Sequence, residues 1–474
     1  MVVQFPHAMS PASSIYTASF SAFLVLTACQ PVGPNHEMPT VNLPASFSDG
    51  GVKWKSSSPD SLPKPRSWWK LYNDRTLTSL VERALDQNQE IAAASARLRQ
   101  ARNISLATRG EYFPSVDIGA SANRSKSRFS SVGTSTIENN YSVPVDFSYE
   151  VDLWGKVRRQ VEGAKASEEA TAETLNAIRL SIAGEVAQTY FALRAVDADR
   201  DLLTKTVELR KKALDLLTEQ RDAGAISGLD LSRAQTEVST AEADRIQLDR
   251  DRIELVNALA VLTGSTATGS SVPERADLPD PPRIPTTVPS ELLLQRPDIR
   301  AAERRVAVAN ADIGVATAAY YPSITIGGSG GVQSDTVSQL FKSSALVWSI
   351  GPSISLPIID QKFLRYRKDA AVNAHEAATA DYRQIVLDSI REVENALQGG
   401  SILVRRQKAE EQALSSARQT FDLSSKRFEA GLVSFLDVVD SERTRLDAER
   451  RTNAVRAERL AVSVSLIKAI GGEW

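Results

Sequence analysis

Apolar and polar residues alternate along two stretches of the chain in a way that helices do not produce. From Tyr141, the residues Val143, Val145, Phe147, Tyr149, Val151 and Leu153 put an apolar side chain at every odd position, while Ser142, Pro144, Asp146, Ser148, Glu150 and Asp152 hold the even ones. Farther on, Leu346, Trp348, Ile350, Ile354, Leu356 and Ile358 alternate with Ser349, Gly351, Ser353 and Ser355. A period of two gives a strand with one face in an apolar medium and the other in water. Length and pattern together suit a strand that crosses an outer-membrane bilayer. Companion strands are expected at Val116, Ile118, Ala120 and Ala122, closed by a polar loop over 125–140, and around 324–333, giving four strands per chain.

Between the strands the period becomes helical. Leu77, Leu80, Ala84, Leu85, Ile91, Ala94 and Leu98 mark a helix running to about residue 107. A proline-free stretch over 158–222 predicts one helix roughly 100 Å long. It turns at Ala223-Gly224-Ala225-Ile226-Ser227-Gly228 and returns to Thr263. The order then repeats, with a helix from Asp298 to Tyr320, two strands, a second long helix over 363–429, a turn at Ala430-Gly431-Leu432-Val433-Ser434 and a return to Ile470. Gly224 and Gly431, Ser227 and Ser434, and Asp230 and Asp437 all recur at one offset of 207 residues.

The expected organisation follows from this repeat. Residues 67–265 and 290–474 are two structural repeats, and 266–289 is a Pro-rich connector. Residues 29–66, rich in Pro, Ser and Gly, read as an extended arm. Long helices with Ala-rich apolar stripes must pack laterally. Four strands cannot close a membrane barrel, so several chains must share one. The expected fold class is mostly α with a membrane β-barrel portion.

Composition narrows the chemistry. A net charge of −2 over 474 residues carries no basic footprint for nucleic acid. The single cysteine excludes an intrachain disulfide, and three histidines and three methionines give no basis for a metal centre or any other cofactor. The pentapeptide Gly327-Gly328-Ser329-Gly330-Gly331 fits the G-x-S-x-G pattern of a nucleophile elbow, but strand-like sequence flanks it on both sides and no histidine lies nearby. No catalytic function is expected, and the glycines are expected to ease curvature in a strand.

The amino terminus reads as a processed leader. Ile15 to Ala28 is a short apolar stretch ending Leu26-Thr27-Ala28-Cys29, which resembles a bacterial lipobox. Residues 1–28 are then a lipoprotein signal peptide, although 1–14 lack the usual Lys or Arg, and Cys29 is the acylated first residue, its lipid the only covalent addition expected. Gln30 in the following position is compatible with sorting to the outer membrane.

Several motifs point in one direction. They are Pro31-Val32-Gly33-Pro34-Asn35, Trp68-Trp69 with Leu71, Tyr149-Glu150-Val151-Asp152-Leu153-Trp154-Gly155-Lys156, Pro289-Ser290-Glu291-Leu292-Leu293, Arg296-Pro297-Asp298-Ile299 and Leu466-Ile467-Lys468-Ala469-Ile470-Gly471-Gly472. Together they resemble the outer-membrane efflux lipoproteins, the NodT and OprM branch of the TolC-like channels, over nearly the whole mature chain. The resemblance implies a homotrimer with a shared 12-stranded barrel in outer-membrane lipid and a helical tunnel reaching into the periplasm. It also implies docking on a periplasmic adaptor and an inner-membrane pump, of RND type.

The same resemblance puts a gate at the hairpin tips, where acidic residues ring the constriction. The matching positions are Asp437 and Asp440, three apart on one helical face and six carboxylates in a trimer. Asp230 is the counterpart in the first hairpin, where Arg233 stands in place of a second acid. Ser227 to Asp230 and Ser434 to Asp437 are also capping-box patterns, which favours a capping role for Asp230 and leaves Asp437 open to both roles. Val433 and Phe428 replace the polar residue and tyrosine common in related gates. Gly224, Ala225, Gly431, Leu432, Val433 and Ser434 are the expected adaptor contacts, the two glycines also allowing left-handed turns. The implied function is the exit duct of a tripartite efflux system. The alternatives are a duct for type I protein secretion or metal-ion export, and a non-conducting coiled-coil lipoprotein scaffold.

Overall fold

The computed structural model describes residues 31–41, 67–128, 135–282 and 290–472. The leader, Cys29 and most of the arm lie outside the described residues, as does 283–289 of the connector. The elements are α1 (Arg75–Gln87), α2 (Gln89–Arg109), β1 (Ser115–Ile118), β2 (Ser121–Arg128), β3 (Ser135–Glu150), α3 (Lys156–Asp222), α4 (Gly228–Leu262), α5 (Pro297–Ala318), β4 (Ser323–Ser334), β5 (Leu346–Ser355), α6 (Gln361–Glu429) and α7 (Phe435–Ala469). Packing groups the chain differently from its sequence repeat. One compact unit draws on 31–39, 98–171 and 302–382, and the other on 40–97, 172–301 and 383–474, so each takes segments from both repeats.

The first unit holds an antiparallel sheet in the order β1/β2, β3, β4, β5. Segments β1 and β2 pair with β3 in one continuous register, Ser115 with Ser148 through Arg128 with Ser135. They are one strand interrupted at Gly119 and Ala120, opposite Pro144, which has no N–H to give the ladder. The four expected strand positions are therefore present. The register puts Val116 opposite Phe147 and Ile118 opposite Val145, then Phe147 opposite Gly328 and Val145 opposite Gly330. Gly328 and Gly330 in turn face Ile350 and Trp348. All of these share one face, and Asp117, Asp146, Ser329 and Ser349 share the other. A slip of one residue would exchange the faces, so the apolar pattern fixes the register.

Three strand boundaries differ from expectation, the simplest being that β5 ends at Ser355 and leaves Leu356 and Ile358 outside the ladder. The polar loop over 125–140 is mostly strand, with β2 running to Arg128 and β3 starting at Ser135. The alternation continues there, but with polar residues on both faces, which hides it. At its other end β3 stops at Glu150 instead of reaching Leu153. The Asp152 carboxylate accepts the Val157 and Arg158 backbone N–H groups at 3.1 and 3.0 Å, capping α3. Glu150 pairs with Lys156 at 3.1 Å, and Trp154 stacks on Tyr321 at 4.7 Å while donating to the Pro322 carbonyl at 2.8 Å. The arm docks beside them. Arg159 donates to the Val32 carbonyl and to Asn35 Oδ1, Asn310 donates to the Pro34 carbonyl, and His36 meets Glu303 at 2.6 Å. At Gly33, φ is +91° and an added Cβ would lie 2.7 Å from the Gly314 Cα, so only glycine fits.

The second unit holds the tip-bearing parts of the two helical hairpins, α3/α4 and α6/α7, while 156–171 of α3 and 361–382 of α6 belong to the first. The single helix expected over 77–107 is broken at Asn88, whose side chain accepts from the Glu90 and Ile91 N–H groups and donates to the Leu262 carbonyl. Buried Trp68, Trp69, Tyr72, Leu77, Val81, Val186, Tyr190 and Phe191 form the core there. The described part of the connector is pinned by arginines: Arg194 donates to the Pro273 carbonyl at 2.8 Å and Arg252 to the Val272 carbonyl at 2.7 Å. Among the described residues no helix is long and apolar enough to cross a membrane.

Candidate gate at the hairpin tips

Each hairpin turns through the same backbone device. In the first, the Ala225 N–H reaches the Gln220 carbonyl and the Gly224 N–H reaches that of Arg221, both at 2.8 Å. In the second, Leu432 reaches Arg427 at 2.9 Å and Gly431 reaches Phe428 at 2.8 Å. These are Schellman closures, which need a left-handed residue, and φ is +73° at Gly224 and +69° at Gly431. No atom lies within 4 Å of a Cβ built at either glycine, so backbone conformation and not crowding explains them.

The next helix starts in each case at a serine cap. Ser227 accepts from the Asp230 N–H at 3.3 Å and donates from Oγ to the Asp230 carboxylate at 2.8 Å. Arg233 lies 3.9 Å from the same carboxylate. In the second hairpin, Ser434 donates from both Oγ and N–H to Asp437 Oδ2, at 2.7 and 2.9 Å. The Ser434 hydroxyl, and after it the Ser434 N–H, holds the exposed Asp437 carboxyl below the usual range. Asp437 is thus ionised and fixed as a cap. Asp440 is exposed, and its carboxylate makes no hydrogen bond or ion pair among the described residues, although Arg443, itself paired with Glu237, acts on it through space. Gly224, Ala225, Gly431, Leu432 and Ser434 are exposed, and Val433 and Asp230 are half-buried. Phe428 packs on Phe435 at 5.9 Å, an apolar contact across the tip.

A family model described as "Outer membrane efflux protein" matches residues 80–265 and 288–472. The chain belongs to the outer membrane efflux protein family. It is 30% identical over 461 residues to the solvent efflux pump outer membrane protein SrpC of Pseudomonas putida, covering 96% of this chain and 97% of that protein. It is 27% identical over 465 residues to the antibiotic efflux pump outer membrane protein ArpC of Pseudomonas putida, covering 97% of this chain and 96% of ArpC. Among solved structures, the outer-membrane channel OprN superposes with a TM-score of 0.87 at 31% identity, covering 94% of this chain and 99% of OprN. The protein is accordingly a TolC-like outer-membrane efflux channel, and the scaffold reading falls. The G-x-S-x-G match lies wholly inside β4, which continues from Ser329 to Ser334 without the sharp strand-to-helix turn that an elbow needs.

Behind the tips lies a charge cluster absent from the expected sites. Arg210 of α3, Glu237 of α4 and Glu442 of α7 are all buried. Arg210 Nε donates to both Glu442 oxygens at 3.2 Å, and its Nη1 donates to the Glu237 carbonyl at 2.8 Å. Arg443 joins through Glu237, Nε to Oε2 at 3.2 Å. Burial pushes the Glu442 carboxyl up, opposed by Arg210 and Arg445. The available signal was periodic: Arg210 falls on the stripe of buried Leu203, Val207 and Leu217, and Glu442 lies between buried Val439 and Leu446. A charge on such a stripe requires a buried partner.

Proposed function

We propose that three copies of this chain form the exit duct of a tripartite efflux assembly, closed at rest by a ring of Asp437 and Asp440 at the hairpin tips. The free Asp440 carboxylate carries this reading. It stands one helical turn past the capped Asp437, so a three-fold axis would gather six carboxylates with no cation of the chain bound to Asp440. Such a ring attracts cations, repels anions and resists complete ionisation. Asp230, held by Ser227 and close to Arg233, contributes capping in place of selectivity.

Three strand-bearing chains would give twelve strand positions, and the unpaired outer edges of β1/β2 and β5 are the ones that neighbouring copies would join. Exposed Leu229, Leu432 and Leu436 at the tips suit the apolar contact of a periplasmic adaptor, beside Gly224, Ala225, Gly431, Val433 and Ser434. The pump is of RND type, as the family resemblance implies, and the cargo small molecules; the names of SrpC and ArpC state solvent and antibiotic efflux for those proteins. Cys29 carries the lipid anchor.

Single-channel conductance in a planar bilayer tests the gate. The wild-type channel is compared with Asp437→Ala/Asp440→Ala, each with and without a trivalent cation. Low conductance that the cation blocks, with the block lost in the variant, is the expected result. An unchanged block in the variant would move the gate elsewhere.

A further inference from the structure

The outward face of the sheet changes character along its length. On the face that holds Phe147, Val145 and Val143, the partner strand contributes Val116, Ile118 and then Ala122 opposite Tyr141. Tyr149 and Tyr141 bound this apolar stretch of β3, eight residues apart, or about 27 Å along the strand. Tilted as barrel strands are, it spans the apolar band of an outer-membrane barrel with an aromatic ring at each border. Past Tyr141 and Ala122 the same face continues as Arg124 opposite Asn139, Lys126 opposite Ile137 and Arg128 opposite Ser135. Three successive outward positions of one strand are therefore cationic.

Among the described residues no carboxylate answers them. The only acid between Ala122 and Tyr141 is Glu138, which sits opposite Ser125 on the other face. Arg124, Lys126 and Arg128 are exposed and make no ion pair among the described residues. They occur at the end of the sheet joined by loops, while Ser115, Glu150, Ser323 and Ser355 lie at the end that leads into helices. Cations facing hydrocarbon are costly, so this segment belongs at the level of the head groups beyond the apolar band. Guanidinium forks pair with phosphate in a bidentate manner, and the rail is about 14 Å long.

We propose that Arg124, Lys126 and Arg128 form an outward-facing rail that binds the phosphate groups of glycolipids in the outer leaflet of the membrane. In a trimer the rail occurs three times around the barrel. It orients the channel by charge at the surface opposite the helices, independently of the gate. Salt weakens the binding, as expected for exposed cations.

The test measures binding of diphosphorylated lipid A to the full-length channel in detergent, with its dephosphorylated form and inorganic phosphate as separate probes. The wild type should bind the phosphorylated lipid and show a raised unfolding midpoint. Arg124→Gln/Lys126→Gln/Arg128→Gln should weaken that binding by more than about tenfold. Arg124→Lys/Arg128→Lys, which keeps the charge, should retain most of it. Conductance of the Gln variant in a phosphate-free bilayer should equal that of the wild type, which separates this surface from the gate. If the triple Gln variant does not fold, Arg128→Gln alone, at the strand end, should still weaken binding. Equal binding by wild type and variant, equal binding of the dephosphorylated lipid, or the same stabilisation by inorganic phosphate would each overturn the proposal.

Discussion

At the common offset of 207 residues, Leu193 of α3 and Gly400 of α6 occupy equivalent places in the two hairpins. Leu193 is fully buried. Gly400 follows Gly399 in the middle of a 69-residue helix, where a Cβ would meet only the Val462 side chain at 3.8 Å, and one at Gly399 would meet nothing within 4 Å. Neither glycine is required by packing, and each costs the helix about 1 kcal/mol relative to alanine. The tips differ in the same sense: the first carries Asp230 beside Arg233, and the second carries Asp437 with an unpaired Asp440. One hairpin is packed at this level and pairs its tip acid with Arg233, and the other is locally soft and leaves Asp440 without an ion pair. The comparison teaches that a duplicated plan can be divided into a stiff half and a yielding half by a few residues.

The largest expected effect comes from the cluster that ties the hairpins together. Arg210→Met leaves Glu237 and Glu442 buried against each other and should cost about 3–5 kcal/mol. The unfolding midpoint in detergent measures this, and a loss as small as that of exposed Arg443→Gln would mean the cluster does not join them. Next in size, Leu193→Ala in the stiff hairpin should cost about 2–5 kcal/mol by leaving a cavity. Gly399→Ala/Gly400→Ala in the soft one should instead stabilise the fold by up to about 2 kcal/mol. Equal signs at the two sites would erase the contrast in stiffness.

Smaller effects test the tips. Gly224→Ala and Gly431→Ala should each cost about 1–2 kcal/mol, because alanine must take up a left-handed conformation in the same closure. A difference between the two would show that the turns are not equivalent. The smallest effect is a pH dependence at the second tip. The folded Asp437 carboxyl titrates below its unfolded value, so its capping contribution is present above the ordinary carboxylate range and is lost as pH falls through the folded value. The protection factors of the Ser434 and Asp437 amides, taken against the intrinsic exchange rate at each pH, should fall over that acid window, and Asp437→Asn should abolish the dependence.

Much of this was legible in the chain itself. The tip glycines and the Ser434 to Asp437 box depend on residues three to six apart, and local hydrogen bonds realised them as read. The alternation at 141–149 likewise named its apolar face, since one side of a strand is fixed by parity. The extension of β2 to Arg128 was hidden because Arg124, Lys126, Asn139 and Glu138 give no apolar contrast between faces. The break at Asn88 was hidden because helical periodicity survives a single-residue cap.

The sequence alone determined the repeat, the lengths of the two long helices, the apolar strand faces and the capped acidic tips, because each follows from local spacing. Tertiary structure decided which strands are neighbours in the sheet, how Pro31 to His36 lodges against Arg159 and Glu303, and that Arg210 meets Glu442. Those contacts join residues separated by 232 positions in the last case and by 267 between His36 and Glu303. No local periodicity encodes such partners. They are selected because a charge taken out of water needs a partner, and close-packed backbone leaves few places where one can be found.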